Sequence, residues 1–572
     1  MFGTRNPGGA GLERDPPVQH DEIPRFCLAL DRPGPEAACC GPRGGTMGGT
    51  MNDVSAPVPV VEISCGALRG TMIDGTMAFK AIPYAAPPTG TLRFLPPRPP
   101  VPWAGVRDAT AYAGRAPQTG LRAAQRPELE TFSGTPDPSP DSEDCLTLHV
   151  WTPGVSGGAK RPVMVWLHGG AFSTGSANSD RLRGSRLAKR GDVVVVTVNH
   201  RLNIFGHLDL SEVGGPDYAQ SGNAGVLDMI AALQWVRDNI SRFGGNPGNV
   251  TIFGESGGGG KVSTLLAMPS AIGLFHKAII QSGASVRLRD KERSLKLTGH
   301  VLKELGVGAG AIAQLRALPF TRLLAAIKPA ERALGASAHR LFDRYPFGPV
   351  IDGDLLPRQP FDPAAPDFMR DIPLIIGDMK DEMASFLAPD DLVWNRVLTE
   401  AQMEERVRAI AGPETNRVVE TYRRQYPGAG PADRLIATTT DSNFRIRSLT
   451  LAQRRAANAT APVWMYSFQW ETPLHDGKMK APHAMDVPFT FDTIDLTNAT
   501  DNSDTAKRLA ATMSGVWAAF ARNGVPDHPS IPHWPAYNAA DRATLMLDAE
   551  CRIENDPRDE TRALWQDITG TR

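Results

Sequence analysis

One stretch of ten residues, Thr251–Gly260, reading TIFGESGGGG, limits what this chain can fold into more than any other. Thr251-Ile252-Phe253 is β-branched and aromatic, as a buried strand should be, and it runs directly into Gly254-Glu255-Ser256-Gly257-Gly258, a G-x-S-x-G pentapeptide. A helix-compatible stretch, Lys261 to Met268, follows. A serine on so sharp a strand-to-helix turn has strained backbone angles, and side chains at positions 254 and 258 would collide with adjacent backbone. The turn lifts the Ser256 hydroxyl out of the sheet, and the helix N-terminus behind it aims unpaired N–H groups at any oxyanion formed there. Ser256 is therefore the candidate nucleophile.

Two other glycine-rich turns have different spacing. A phosphate loop needs a glycine five residues before the glycine of GK and a Ser or Thr after the lysine, but Glu255 and Val262 hold those positions. A dinucleotide-binding turn needs G-x-G-x-x-G after its strand, where this chain has G-E-S-G-G-G-G. Charge argues in the same direction. With 61 Lys+Arg against 62 Asp+Glu, the chain has no global field to recruit nucleic acid or an anionic membrane, so a polyanionic substrate is not expected.

No run of eighteen apolar residues occurs, so no transmembrane helix is expected. Residues 1–56 are rich in Gly, Pro, Arg and Asp without apolar periodicity and read as a disordered extension, with Met47 or Met51 as an alternative start. Phe26–Leu30 is too short for the apolar segment of a secretion signal. The six cysteines, Cys27, Cys39, Cys40, Cys65, Cys145 and Cys551, show no metal-ligand spacing. A reduced, cytoplasmic protein without metal or organic cofactor is the expectation. Length alone suggests several domains, but the motifs below converge on one site, so 57–572 reads as a single domain.

In chain order, Val58–Ile63 and Gly66–Met72 read as an antiparallel edge hairpin, and the Pro-rich segments that follow as extended chain. Glu143–Trp151 alternates as a strand and Arg161–Leu167 reads as a buried one. The latter ends in His168-Gly169-Gly170-Ala171-Phe172, where paired glycines let backbone N–H groups converge on one point, as an oxyanion hole requires. Val193–Val198 is a further strand. Asn223–Asn246 has apolar residues at three and four, an amphipathic helix closed by Gly244-Gly245 that delivers the chain into the serine turn. Lys277–Gly283 then completes a right-handed strand–helix–strand unit. Two helical blocks, 289–344 and 398–443, read as a lid over the sheet. Between and after them lie strands at Pro373–Met379, Val463–Phe468 and Thr544–Leu547 and a helix at Arg508–Asn523.

Long stretches of this chain resemble the type-B carboxylesterases of the α/β-hydrolase fold: EDCLTLHVW from Glu143, WLHGGAF from Trp166, NAGVLDMIAALQWVRDNISRFGGNP from Asn223, VTIFGESGG from Val250, PVIDGDLLP from Pro349, GDMKDE from Gly377 and APHAMDVPF from Ala481. The resemblance covers roughly residues 58–550 and implies a mostly parallel central sheet flanked by helices. It also implies Ser256 as nucleophile, Glu382 as the acid and His483 as general base, with Gly170, Ala171 and Gly257 supplying oxyanion N–H groups. From the residues alone Asp378 and Asp381 compete with Glu382, and His475 with His483. The family usually carries Ala where this chain has Gly257, and many secreted members pair the cysteine at position 145 with one just upstream, where Ala116-Pro117-Gln118 now stands.

The implied reaction is hydrolysis of a small-molecule carboxylic ester through an acyl-enzyme, failing below about pH 6.5 to 7 as the base protonates. The same triad serves amides and carbamates, and a non-catalytic binding protein on this fold is the remaining alternative.

Overall fold

The computed structural model describes residues 58–119, 137–156, 158–335 and 345–571. The expected N-terminal extension lies outside the described residues. An 11-stranded sheet organises the rest. From edge to edge its strands are Thr71–Ile73, Thr76–Pro83, Thr147–Thr152, Val194–Val198, Arg161–Leu167, Gly245–Glu255, Lys277–Gln281, Leu374–Met379, Val463–Phe468, Ala543–Leu547 and Arg552–Asn555. Neighbours from Val194–Val198 through Ala543–Leu547 pair in parallel, and the strands at either edge are antiparallel.

Both faces of the parallel part are covered, which is why its strands are mostly apolar on both faces rather than regularly alternating with polar residues. Val163, Val165, Val194, Val196, Ile252 and Ile280 belong to one core with Val226, Leu233 and Val236 of the Ala224–Asn239 helix. Met164, Trp166, Val195, Phe253 and Ile279 belong to the opposite core with Met513, Val516, Trp517 and Phe520 of the Asp504–Asn523 helix. Successive residues of each strand thus feed opposite layers, the period of two dictated by the pleat. The two helical blocks build smaller cores of their own, around Val301 and Leu323 and around Val418 and Leu435.

The first hairpin forms, Val60–Ile63 on Gly66–Arg69, but it belongs to a separate three-stranded sheet with Val106–Asp108. The chain breaks at Gly70, and Thr71–Ile73 alone joins the edge of the large sheet. Thr76–Pro83, part of which reads as Pro-rich extended chain, is a full strand. Its register slips between Phe79 and Ile82, and this bulge accommodates the proline that closes it.

Strand order places the reactive edge. After Arg161–Leu167 the chain adds Val194–Val198 on one side and then crosses to add Gly245–Glu255 on the other. Ligands of open α/β sheets bind where the order reverses in this way, at the carboxyl ends of the strands. A buried ion pair fixes the crossover: Arg201, just past Val194–Val198, donates from Nε and Nη2 to both oxygens of Asp228 on the connecting helix at 2.8 and 2.6 Å. The Arg201 backbone N–H also donates to Asp228 Oδ2. Both side chains are almost wholly buried, so removing one leaves an uncompensated charge. Asp228→Ala is expected to cost about 3–5 kcal/mol in chemical denaturation, and the double replacement of Arg201→Met with Asp228→Leu to recover most of that loss.

Candidate active site

Gly245–Glu255 ends one residue before Ser256, which holds φ 56° and ψ −122°, a left-side conformation rarely tolerated by a residue with a Cβ. Its N–H donates to the Gln281 carbonyl at 2.8 Å, pinning the elbow to the adjacent strand. The helix behind it starts earlier than the sequence suggests, spanning Gly257–Leu265, so the glycine run itself is helical. Contact explains why. A Cβ on Gly258 would collide with the Leu167 carbonyl, and one on Gly283 with the Ser256 carbonyl. The helix therefore seats directly on the ends of its neighbouring strands.

Opposite the elbow, the chain after Leu167 curls through Gly170 at φ 87° and Ala171 at φ 54°. Ala171 backbone atoms lie so close to Gly257 that a Cβ there would collide with them. Gly257 opens the elbow helix and has no intrahelical acceptor for its N–H. Of the three expected oxyanion donors, Ala171 thus lies against Gly257, the residue after Ser256, and Gly170 precedes Ala171 in the chain. Asn203 Nδ2 donates to Ser173 and Pro117 carbonyls, and Gln118 exchanges two hydrogen bonds with Gly175, so this loop is braced from outside.

Glu382 and His483, the expected acid and base, come from loops that hydrogen-bond each other. The Asp381 N–H donates to the Ala481 carbonyl at 3.1 Å and the His483 N–H to the Glu382 carbonyl at 3.3 Å. Between side chains, His483 Nδ1 lies 2.5 Å from Glu382 Oε2, while the Met379 N–H donates to Glu382 Oε1 at 2.9 Å. Burial pushes the Glu382 carboxyl well above the usual carboxylate value, opposed by the Met379 N–H, which favours the charged form. The competitors sit elsewhere. Asp378 accepts from Ser467 and lies 4.0 Å from Arg558, Asp381 accepts from the Ala481 N–H, and the His475 ring lies 6.0 Å from Trp394.

Three features escape the sequence reading. Glu255, between Gly254 and the serine, turns Oε1 to within 3.1 Å of His483 Nε2, so the imidazole lies between two buried carboxylates. Burial raises Glu255 to about 7, with His483 pulling it down. An acid closing the β-branched and aromatic run Val250–Phe253 is the signal that points to it. Phe386 and Phe444 flank the imidazole at 5.1 and 4.8 Å. Phe444 belongs to a π-helical turn, Asp441–Arg445, which breaks the 3.6-residue period and so leaves no periodic signal.

Among the described residues no group of three or more His, Cys, Asp or Glu is arranged to hold a metal ion, and no helix is long and apolar enough to cross a membrane.

The family model described as "Carboxylesterase family" matches residues 57–565. The para-nitrobenzyl esterase of Bacillus subtilis is 39% identical, over 88% of this chain and 97% of that protein. The phenmedipham hydrolase of Pseudarthrobacter oxydans is 33% identical, over 86% and 95%. Among solved structures, a carboxylesterase of Geobacillus stearothermophilus superposes with a TM-score of 0.76 at 37% identity, covering 89% of this chain and 100% of its own.

Gly257 tests the site's geometry. Gly257→Ala, which installs the residue usual in the resembling family, is expected here to displace Ala171 and lower kcat by about 10²-fold, as loss of one oxyanion donor does elsewhere. Ester turnover with circular dichroism as a folding control checks this.

Proposed function

The chain belongs to the carboxylesterase family, and from that premise we propose that it hydrolyses small to medium carboxylic esters through an acyl-enzyme on Ser256. The supporting observation is the 2.5 Å contact between His483 and Glu382, with the other imidazole nitrogen turned toward the elbow strand that carries the serine. Ser256 Oγ attacks the ester carbonyl while His483 Nε2 takes its proton, and the resulting imidazolium then protonates the departing alcohol. Water repeats the cycle on the acyl-enzyme. Glu382 keeps the Nδ1 proton in place and stabilises the imidazolium, and the N–H groups of Gly170, Ala171 and Gly257 receive the oxyanion.

Phe386 and Phe444, against the imidazole, give the alcohol or acyl group an apolar wall. Residues 57–572 act as one hydrolase domain. A reducing, cytoplasmic setting accords with Cys145, buried and unpaired, with Ala116 in the same core.

Hydrolysis of para-nitrophenyl esters from acetate to decanoate by the wild type and by Ser256→Ala tests the assignment. The variant is expected to lose roughly 10⁴-fold or more in kcat. Retained turnover would exclude Ser256 as nucleophile, and faster cleavage of a matched amide or carbamate would reassign the substrate class.

Glu255 adds a pH test. Glu255 lies 3.1 Å from Nε2, and burial raises its carboxyl to about 7, so it changes charge across the acidic limb of the profile. In Glu255→Gln the acidic limb of kcat/KM is expected to move down by about one pH unit. A limb that stays or rises contradicts the placement of Glu255.

A further inference from the structure

Lys261 has no part in the reaction above, yet it is fully buried one turn into the elbow helix. Its ammonium donates to the His168 carbonyl at 2.6 Å and lies 5.7 Å from the centre of the Phe172 ring. Those two residues are the ends of the loop His168-Gly169-Gly170-Ala171-Phe172, and the residues between them carry two of the proposed oxyanion donors. The third, Gly257, is four residues before Lys261 on the same helix. We propose that Lys261 is a positioning residue of the oxyanion hole, clasping both ends of this loop to the elbow helix and so setting the spacing between the Gly170 and Ala171 N–H groups and that of Gly257. The inference rests on the site reading given above.

The surroundings of Lys261 suit this role. His168 stacks on His200 at 4.8 Å, and burial keeps both rings, and that of His207 against Phe172, below their ordinary values and therefore neutral. Glu255 is the anion that favours the ammonium, against a burial that lowers the lysine to about 7. A lysine in such a place is a poor contributor to stability. An apolar residue of similar length would fill the space without the cost of desolvating a charge. Stability and positioning therefore make opposite predictions for the same substitution.

The test compares wild type, Lys261→Met and Lys261→Gln in thermal unfolding, in kcat and KM for a para-nitrophenyl ester, and in inhibition by a trifluoromethyl ketone, which forms a tetrahedral oxyanion on the serine. Lys261→Met is expected to melt no lower than the wild type while losing about 30-fold or more in kcat at unchanged KM, with a matching loss of ketone affinity. Lys261→Gln retains an N–H donor for the His168 carbonyl and is expected to recover part of that loss. Either variant, folded and with kcat within about twofold of wild type, would overturn the proposal, as would a loss confined to KM. Should Lys261→Met fail to fold, the ¹⁵N signal of the Lys261 amine in the wild type decides. It shifts on ketone binding if the amine is tied to the loop, and an unmoved signal rejects the idea. Ser256→Ala runs in parallel, and full activity in that variant would mark failure of the site assignment itself rather than of the lysine's role.

Discussion

The proposed active site depends on one backbone-to-backbone arrangement, the seating of the elbow helix on the ends of the neighbouring strands. Gly258 rests on the Leu167 carbonyl and Gly283 on the Ser256 carbonyl, in both cases without room for a Cβ. Glycine is a poor helix former, by about 1 kcal/mol per residue against alanine, so four in succession would not begin a helix unaided. Tertiary packing supplies what propensity lacks. The gain is that the free N–H groups of the first turn lie against the Gly170–Ala171 loop instead of standing off from it by the thickness of a side chain.

The second constraint is topological. The oxyanion loop and the elbow leave adjacent parallel strands in register, Leu167 beside Gly254, and Gln281 in turn pairs with Glu255 and Gly377. Four strands are thereby held in register near their carboxyl ends. Glu382 and His483 lie 101 residues apart in sequence, but their loops exchange backbone hydrogen bonds, so the distance between their side chains does not depend on the helices inserted between them. Insertions in those helical blocks can reshape a pocket without disturbing the chemistry, and Phe444, immediately after the second block and against His483, shows how directly they reach it.

How much of this is legible in sequence follows from how local each signal is. The buried strands and the Ala224–Asn239 helix declare themselves through β-branched runs and a helical period, and the elbow through glycine spacing. Thr76–Pro83 is obscured because Pro83 contradicts a strand everywhere except beside a bulge or an edge. Arg552–Asn555 is missed because a polar edge strand carries little apolar pattern, and the helix Asp559–Thr569 because its large apolar residues, Leu564, Trp565 and Ile568, span little more than one turn. Glu382 cannot be separated from Asp378 and Asp381 by residue type, since all three are acids at the end of one strand. Only the direction each side chain takes, toward Nδ1, toward Arg558 or toward the Ala481 N–H, distinguishes them. Glu255 and Lys261 stand inside the most conspicuous motif of the chain, yet nothing in their spacing says that the strand turns one to the imidazole and the helix turns the other to the oxyanion loop.

These two buried charges give the site a polarity. Glu255 and Glu382 lie on either side of the imidazole, where positive charge grows in the proposed attack, and Lys261 lies beneath the loop whose N–H groups face the growing negative charge. Burial acts against all three, raising both carboxyls and lowering the amine. Each is thus worth more in its charged form when the opposite charge develops nearby than in the resting site. In a medium that screens poorly, fixed charges arranged along the direction in which charge moves favour the transition state over the ground state. The same arrangement makes the resting protein less stable than an apolar core of equal volume would be.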